Sequence, residues 1–452
     1  MSERFLRRQH RNYRLFFAAD AWIRAHVAPP GALVLAGLLV TAVLGVDTGV
    51  TLAHQVFALL LLLAAASVLA AILTRPRVEV TRSLPRHATV GVPVRYRLEV
   101  RNPSRRTWAD LALAECWPDP RPPVGEFLRR REPGEAKRNW VDRFYAFHRW
   151  TWLVERRRQA EGGQARIAAL PPGGRAEAAL TMTPLRRGAI ALSTVAVGAP
   201  DLFGLFRGVR ATAAPGRILV LPRRYPVPRL DLPGRSARYQ PGGVALASSV
   251  GESGEFVALR DYRPGDPPRH IHWRSWARAG RPIVKEFQNE FFVRHALVLD
   301  TFAPDDLEDV FEEAVSVAAS FAFTMPEQDS LLDLLFVGPQ AYCFTAGRGL
   351  AHAEQMLAVL AAVGRCEDKP FEALGRLVAA HAAQVSGAIC VLTAWDEPRR
   401  HMVESLAALG VPARVYVVRR AGLTAGGGAS APAGEEVRFL ECGRIAEGLA
   451  AP

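Results

Sequence analysis

The stretch "HALVLD", residues 295–300, holds a continuous apolar run and ends in an aspartate. Short runs of this kind are typical of strands that are buried on both faces of a sheet. The segment that follows, "DDLEDVFEEAVSVAASFAF" at 305–323, places apolar residues at helical spacing and carries acids in its first turn. This succession of strand and helix predicts a mainly parallel, doubly wound sheet.

The rest of the C-terminal region repeats the alternation. Apolar runs predict further strands at residues 331–338, 387–393 and 413–418, and helical spacing predicts helices at residues 352–363, 371–382 and 397–410. The last helix has Pro398 at its start and Gly410 at its stop. We therefore place an α/β domain at residues 293–452, with a flexible Gly/Ala loop at 421–435 that lacks the ending of a phosphate loop.

Upstream of this domain the hydrophobic period changes to two. The stretch "VRYRLEV", residues 94–100, alternates apolar and charged side chains, as a half-buried strand does. Similar short runs separated by Gly and Pro predict an antiparallel β-sandwich-like domain at residues 78–222. An insertion at about 119–169 interrupts it, and its aromatic residues suit one face of a helix. We expect a packed lid on the sandwich, with lipid or partner contact as the alternative.

Residues 31–46 and 50–73 carry no charge. Together the block 31–73 is long enough for two short membrane spans joined by a turn at 47–49, so we predict a transmembrane helical hairpin. A buried hairpin of a soluble protein is the alternative. Arginines flank the block on both sides, which predicts that both termini are cytoplasmic. Residues 1–30 carry arginines interspersed among apolar and aromatic residues, and suit an interfacial helix on anionic lipid.

Net charge and cysteine content argue against several classes of protein. The 452 residues carry a net charge of +13, which invites a nucleic-acid interpretation, but arginine carries almost all of it and the membrane segment accounts for part. We therefore expect no nucleic-acid partner. The five cysteines are scattered and form no CxxC, which argues against a disulfide framework or a zinc cluster.

The linker at residues 223–292 holds the densest chemistry in the chain, "LRDYRPGDPPRHIHWRSWARAG" at 259–280. As a metal site, His270 and His272 would share one face of a strand, and Asp266 or His295 would have to supply a third ligand. A nucleic-acid patch is interrupted by acids. A hydrolase would need a base for Ser275, and none is evident.

We prefer an architectural role for this motif. Its arginines can pair bidentately with Asp261 and Asp266, while Trp273 and Trp276 can bury apolar area. We predict a wedge between sandwich and α/β domain that also presents part of a partner surface. The residues that we expect to matter are Arg260, Tyr262, Arg263, Gly265, Asp266, Arg269, Trp273 and Arg278.

These motifs resemble those of the bacterial membrane proteins grouped as domain-of-unknown-function family 58, whose C-terminal part resembles a von Willebrand factor A domain. The family motif is close to "LREYRPGD–RxIDWKxSAR", and this chain departs from it at Asp261 and His272. The stretch "RRGAIALSTVAVGAPDLFGLFR" at 186–207 is also similar to the family. The resemblance covers most of the chain and implies a location in the bacterial inner membrane.

The resemblance also bears on metal binding. Metal-binding A domains carry DxSxS after the first strand, and here Asp300 fits but Phe302 and Pro304 replace both hydroxyl positions. Thr393 and Asp396 stand near a second expected position. Because Phe and Pro side chains cannot ligate, we expect no cofactor, and an Mg²⁺ site at Asp300, Thr393 and Asp396 is the disfavoured alternative.

The resemblance implies a partner rather than a reaction. Such proteins are encoded beside MoxR-type AAA+ ATPases, so we expect a membrane-anchored cytoplasmic scaffold or adaptor in protein assembly or maturation. No catalytic constellation is apparent, and we expect no enzymatic activity. The alternative function is a cation-dependent A-type ligand-binding module.

Overall fold

A computed structural model of the chain describes residues 3–44, 51–228, 240–241, 255–266, 268–288, 291–292, 294–324, 331–346, 350–420 and 436–450. The chain divides into two compact units, Met1–Leu221 and Pro222–Pro452. It is therefore a mixed helix-and-sheet, multidomain protein. The predicted turn at 47–49 and the predicted loop at 421–435 lie outside the described residues.

Three helices open the first unit: α1 (Glu3–His26), α2 (Pro29–Leu44) and α3 (Thr51–Leu73). Both α2 and α3 consist of uncharged, mostly apolar residues, and they pack against each other. Within the described residues, Leu52–Leu73 is the one stretch long and apolar enough to cross a membrane. The 16 residues of α2 fall short of the roughly 20 that a span requires. Of the two spans of the predicted hairpin, one thus corresponds to an apolar helix long enough for a membrane anchor, and the second span stays a prediction.

The sandwich follows as two sheets. Its strands are β1 (Glu79–Ser83), β2 (His87–Thr89), β3 (Val94–Arg101), β4 (Trp108–Glu115), β5 (Ala160–Gly162), β6 (Gln164–Leu170), β7 (Arg175–Pro184), β8 (Gly188–Pro200) and β9 (Arg207–Leu221). One sheet has the order β1-β3-β7-β5 and the other β2-β9-β8-β4-β6, with only the short β2–β9 pair parallel. Both sheets contribute to one hydrophobic core. The predicted strand at 94–100 is confirmed, with Tyr96, Leu98 and Val100 buried.

The insertion folds into three short helices, α4 (Val124–Arg129), α5 (Trp140–Tyr145) and α6 (Phe147–Arg157). It is shorter than the predicted range of about 119–169, because β5 and β6 pair within the two sheets of the sandwich. Its buried core, including Phe127 and Trp150, is shared with Leu6 of α1 and forms a cluster separate from that of the sandwich. The reason is a stripe on α1, where Leu6, His10, Tyr13 and Phe17 recur at helical spacing and pack on the insertion. The insertion was expected to pack as a lid on the sandwich, but its buried residues pack on α1 instead.

The second unit contains ten strands: β10 (Gln240–Pro241), β11 (Glu255–Asp261), β12 (Ile283–Gln288), β13 (Phe291–Phe292), β14 (Arg294–Leu299), β15 (Leu331–Val337), β16 (Ala341–Ala346), β17 (Gly387–Leu392), β18 (Ala413–Arg419) and β19 (Glu436–Glu441), counted over the described residues. Its helices there are α7 (Trp273–Ala279), α8 (Glu308–Thr324), α9 (Leu350–Ala362), α10 (Glu372–His381), α11 (Glu397–Ala408) and α12 (Ile445–Ala450).

Six of these strands form one sheet, in the order β16-β15-β14-β17-β18-β19. All neighbours are parallel except β16, which pairs antiparallel with β15 at the edge. Val415 and Val417 of β18 point to the core around α10 and α11, whereas the Tyr416 ring contacts Phe321 of α8. Alternation along a strand thus places helices on both faces, and the predicted doubly wound sheet is confirmed. The stretch 295–300 supplies its central strand.

Candidate functional site

The first candidate site lies where the strand order of the six-stranded sheet reverses, between β14 and β17. Asp300 directly follows β14 and Thr393 directly follows β17, so the two residues meet at the carboxyl edge of the sheet. Asp300 is fully buried. Its Oδ2 accepts hydrogen bonds from the backbone N–H of Thr393 at 2.9 Å and from the Thr393 hydroxyl at 2.6 Å. Its Oδ1 accepts the N–H of Phe302 at 2.9 Å.

The same carboxylate binds an arginine of the protein. Arg399 lies in the first turn of α11, where its Nε donates to Asp300 Oδ2 at 2.7 Å and its Nη1 donates to Asp396 Oδ2 at 2.6 Å. The guanidinium carbon lies 4.6 Å from the centre of the Phe371 ring. Burial alone would lower the pKa of Arg399, but the charges and hydrogen bonds of Asp300 and Asp396 raise it overall. A fixed positive charge therefore sits between the two carboxylates.

This geometry argues against metal binding by Asp300, Thr393 and Asp396. The structure does bring Asp300, Thr393 and Asp396 together, but it brings them around Arg399. A cation at this edge would have to displace a buried guanidinium that already bonds both carboxylates. Asp396 has a second duty, because its side chain caps α11 by accepting the N–H of Arg399. Sequence reasoning missed Arg399, although its position three residues after a helix-capping aspartate was a usable signal.

The second candidate site is the motif at 259–280. Strands β11 and β12 form an antiparallel pair, which we call the ribbon, and the chain between them makes a turn, a short 3₁₀ segment (Pro268–His270) and α7. Backbone contacts tie this excursion back to the ribbon. The N–H of Tyr262 donates to the carbonyl of Pro282 at 3.0 Å, and Ile271 forms an isolated bridge with the buried Val284.

A bidentate ion pair holds the turn. Arg260 Nη1 and Nη2 donate to the two carboxylate oxygens of Asp266, each at 2.7 Å. Asp266 Oδ2 also accepts the N–H of Arg263 at 2.8 Å, and Gly265 supplies the positive φ of 105° that the turn requires. The Arg260 hydrogen bonds and then the Arg263 N–H lower the pKa of Asp266 to about 2. The predicted arginine–carboxylate pairing is confirmed here, while Asp261 pairs instead with Arg281 at 3.1 Å on the surface.

His270 and His272 do not lie in a strand, as the metal-site interpretation required. His270 ends the 3₁₀ segment and His272 is the N-cap residue of α7, so the two do not share a strand face. His272 Nδ1 lies 2.6 Å from the hydroxyl oxygen of Ser275, which corrects the expectation that Ser275 has no nearby base. The contact joins the side chains of the N-cap and third residues of α7, and the His272 side chain makes no capping hydrogen bond to the backbone. The described residues contain no group of three or more His, Cys, Asp or Glu that could hold a metal ion.

The segment that joins the two strands of the ribbon exposes aromatic and basic side chains. Trp273 is 64% exposed and stacks on Trp276, with ring centres 5.2 Å apart. Leu259, in β11, and Tyr262, directly after β11, are also exposed. The exposed arginines of the same segment are Arg263, Arg269, Arg274 and Arg278. We call this set the ribbon surface. The predicted wedge between the two domains stays a prediction.

Residues 258–391 match the family model described as "Protein of unknown function DUF58". The chain is 30% identical over 132 residues to "Uncharacterized protein YeaD" of Bacillus subtilis (strain 168), which is 29% of this chain and 32% of that protein. The chain thus spans about a third of the length of this relative. Two structures of a Vibrio harveyi GH20 exo-β-N-acetylglucosaminidase, one with N-acetylglucosamine and one of an inactive mutant, each cover 76% of this chain and 57% of that chain at 10% identity. Their TM-score is 0.13, which is too low to indicate a shared fold.

Proposed function

We propose that this chain, which carries a DUF58 domain at residues 258–391, is a membrane-anchored cytoplasmic scaffold or adaptor that acts with a MoxR-type AAA+ ATPase in protein assembly or maturation. The observation that carries this proposal is the ribbon surface, where Trp273 is exposed in the same segment as a turn fixed by Arg260 and Asp266. The type of ATPase comes from the family resemblance.

The chemistry of the ribbon surface suits protein recognition. Trp, Tyr and Arg are the residues that most often dominate the energy of protein–protein interfaces. The Arg260–Asp266 pair and the Tyr262–Pro282 hydrogen bond pre-organise the segment, which lowers the entropic cost of binding. The exposed arginines favour a partner with an acidic surface.

Anchoring in the inner membrane is supported by α3 and by the arginines on both sides of the apolar segment. Flanks of this kind favour cytoplasmic placement of both termini. The second unit, with its ribbon surface, would then face the cytosol, where a AAA+ ATPase is available.

The topology of the second unit also supports a von Willebrand factor A-like domain. The sheet has an antiparallel edge strand, and an aspartate follows its first parallel strand. In such a domain the cation-dependent alternative would require a metal at Asp300. Because Arg399 already bonds Asp300 and Asp396, we favour recognition that does not depend on a cation.

Copurification from a detergent extract tests the proposal. A AAA+ ATPase of the MoxR type is expected to copurify with the wild-type chain and with Trp140→Ala, and to be lost with Trp273→Ala. Trp140 is a matched control because it is also an exposed tryptophan, at 72%, and belongs to the first unit. Equal recovery of the ATPase with Trp273→Ala would contradict the role of the ribbon surface. Absence of the ATPase from the wild-type preparation would contradict the scaffold function itself.

A further inference from the structure

The turn between β8 and β9, residues 201–206, packs on the apolar helices of the first unit. Leu205 and Phe206 form a buried cluster with Ala71, against which Val34 and Leu63 also pack. The N–H of Ala28 donates to the carbonyl of Leu205 at 3.0 Å, and Val27 pairs with Phe206. The turn is thus joined to α2, to α3 and to the segment before α2.

A polar clamp fixes this position. Ser67 has a fully buried hydroxyl in the mostly apolar α3, and it donates a hydrogen bond to Asp201 Oδ2. The other carboxyl oxygen accepts the N–H of Phe206 at 3.2 Å, so Asp201 joins the helix to its own turn. Polar groups within apolar helices are tolerated where they find partners of this kind.

Two glycines allow the close approach. A Cβ added at Gly31 would lie 2.1 Å from the carbonyl oxygen of Leu205. One added at Gly208 would lie 2.3 Å from the carbonyl oxygen of Ala71. Because both obstacles are backbone atoms, larger residues would force the turn away from the helices. The contact is therefore built into the backbone on both sides of the turn.

The position along α3 gives the depth of the turn. Ser67 precedes Leu73, the last residue of α3, by six positions, which corresponds to about 9 Å along the helix axis. Leu63 lies about 15 Å from the same end. If α3 spans a hydrocarbon layer of about 30 Å, the groups that contact Ser67 and Leu63 lie at the level of the acyl chains.

The headgroup level can be placed independently. Arg75 and Arg207 line a cleft of about 130 Å³ together with Trp22 and His26, at the end of α3 that follows Ala71. Among the described residues neither Arg75 nor Arg207 has an ion-pair partner. Basic and aromatic residues are typical of the membrane–water interface. The turn itself, which bonds Ser67 through Asp201, exposes Leu202 by 84% and Phe203 by 47%.

We infer that the turn at residues 201–206 is embedded in the acyl layer of the membrane beside α3, with Leu202 and Phe203 in contact with lipid chains. The β-sandwich is thereby held at the membrane surface by two elements, the helix and the turn. This inference rests on the membrane anchor of the proposed function. It adds a lipid-binding element that is 128 residues or more from the end of α3 in the sequence, counting from Leu73 to Asp201.

Cysteine labelling in open membrane fragments tests the inference. Leu202→Cys is compared with Val92→Cys, and each is read against the labelling of the native cysteines in the wild-type chain. Val92 is exposed and lies two residues after Val90. The N–H of Val90 donates to the carbonyl of Leu221, which is at the end of β9 opposite the turn. A water-soluble maleimide should label Val92→Cys equally with and without detergent. Labelling of Leu202→Cys should rise about tenfold or more on adding detergent, because a thiol in hydrocarbon does not form the reactive thiolate.

A carbonate wash separates failure of this inference from failure of the proposed anchor. If the protein stays in the membrane pellet and Leu202→Cys is labelled as readily as Val92→Cys, the turn lies outside the acyl layer and the inference is overturned. If the wash releases the protein, the anchor is overturned, and the embedding with it. Retention in the pellet with protection of Leu202→Cys supports both.

Discussion

Two arginine–carboxylate clusters in the second unit use the same chemistry in different surroundings. Arg399 and Asp300 are buried at the switch point of the sheet, whereas Arg260 and Asp266 lie near the surface at the ribbon turn. The buried guanidinium satisfies the carboxylate of Asp300, which has no access to water. The surface guanidinium shapes a turn beside exposed aromatic side chains. The first cluster holds the carboxyl edge of the sheet together, and we propose that the second shapes the ribbon surface that a partner binds.

The largest expected effect comes from breaking the buried cluster. Arg399→Ala leaves the buried carboxylate of Asp300 without its counter-charge, and we expect a loss of about 3–5 kcal/mol in the free energy of unfolding of the second unit. Denaturant titration followed by fluorescence measures it. The matched control is Arg400→Ala, which removes the neighbouring exposed pair with Glu397 and should cost less than about 1 kcal/mol. Equal effects of the two variants would show that Arg399 does not stabilise this edge of the sheet.

Breaking the Arg260–Asp266 pair should affect partner binding more than stability. Arg260→Ala is expected to shift the melting temperature much less than Arg399→Ala, and to weaken binding of the proposed AAA+ partner by about tenfold or more. Binding of the purified components, measured together with thermal melts, gives both quantities. A large drop in melting temperature with unchanged affinity would make the ribbon turn a purely structural element.

Lowering the pH should reduce the stability that His295 gives the six-stranded sheet before it weakens the ion pair of the ribbon turn. Burial lowers the pKa of His295 on β14, so the folded state resists a proton that the unfolded chain takes up near pH 6.5, and stability falls as pH drops below that value. The pKa of Asp266 is about 2, so the stabilisation from its ion pair persists until pH falls below the ordinary value of 3.8. Between pH 7 and pH 5 the melting temperature should therefore fall, and His295→Gln should reduce that fall. An identical fall in the variant would rule out His295 as its source.

Local features of this protein could be predicted from the sequence, and long-range pairs could not. The strand at 295–300 and the helix bounded by Pro398 and Gly410 follow from patterns within about a dozen residues. The Arg260–Asp266 pair spans six positions and was also within reach.

By contrast, Asp300 and Arg399 are 99 positions apart, and Ser67 and Asp201 are 134 apart. Such pairs depend on which strands and helices become neighbours in space, and a single sequence holds no local signal of that choice. The same reason explains why the insertion was assigned to the sandwich instead of α1. Its aromatic face was visible in the sequence, but the partner of that face was not.

The most direct test of the account is a calorimetric titration of Mg²⁺ into the purified wild-type protein, with Asp300→Ala as the comparison. The central claim is that Arg399 occupies the place between Asp300 and Asp396 that a cation would need, so that recognition belongs to the ribbon surface. We predict no saturable heat of Mg²⁺ binding in either protein. Saturable binding in the wild type that disappears in Asp300→Ala would contradict it.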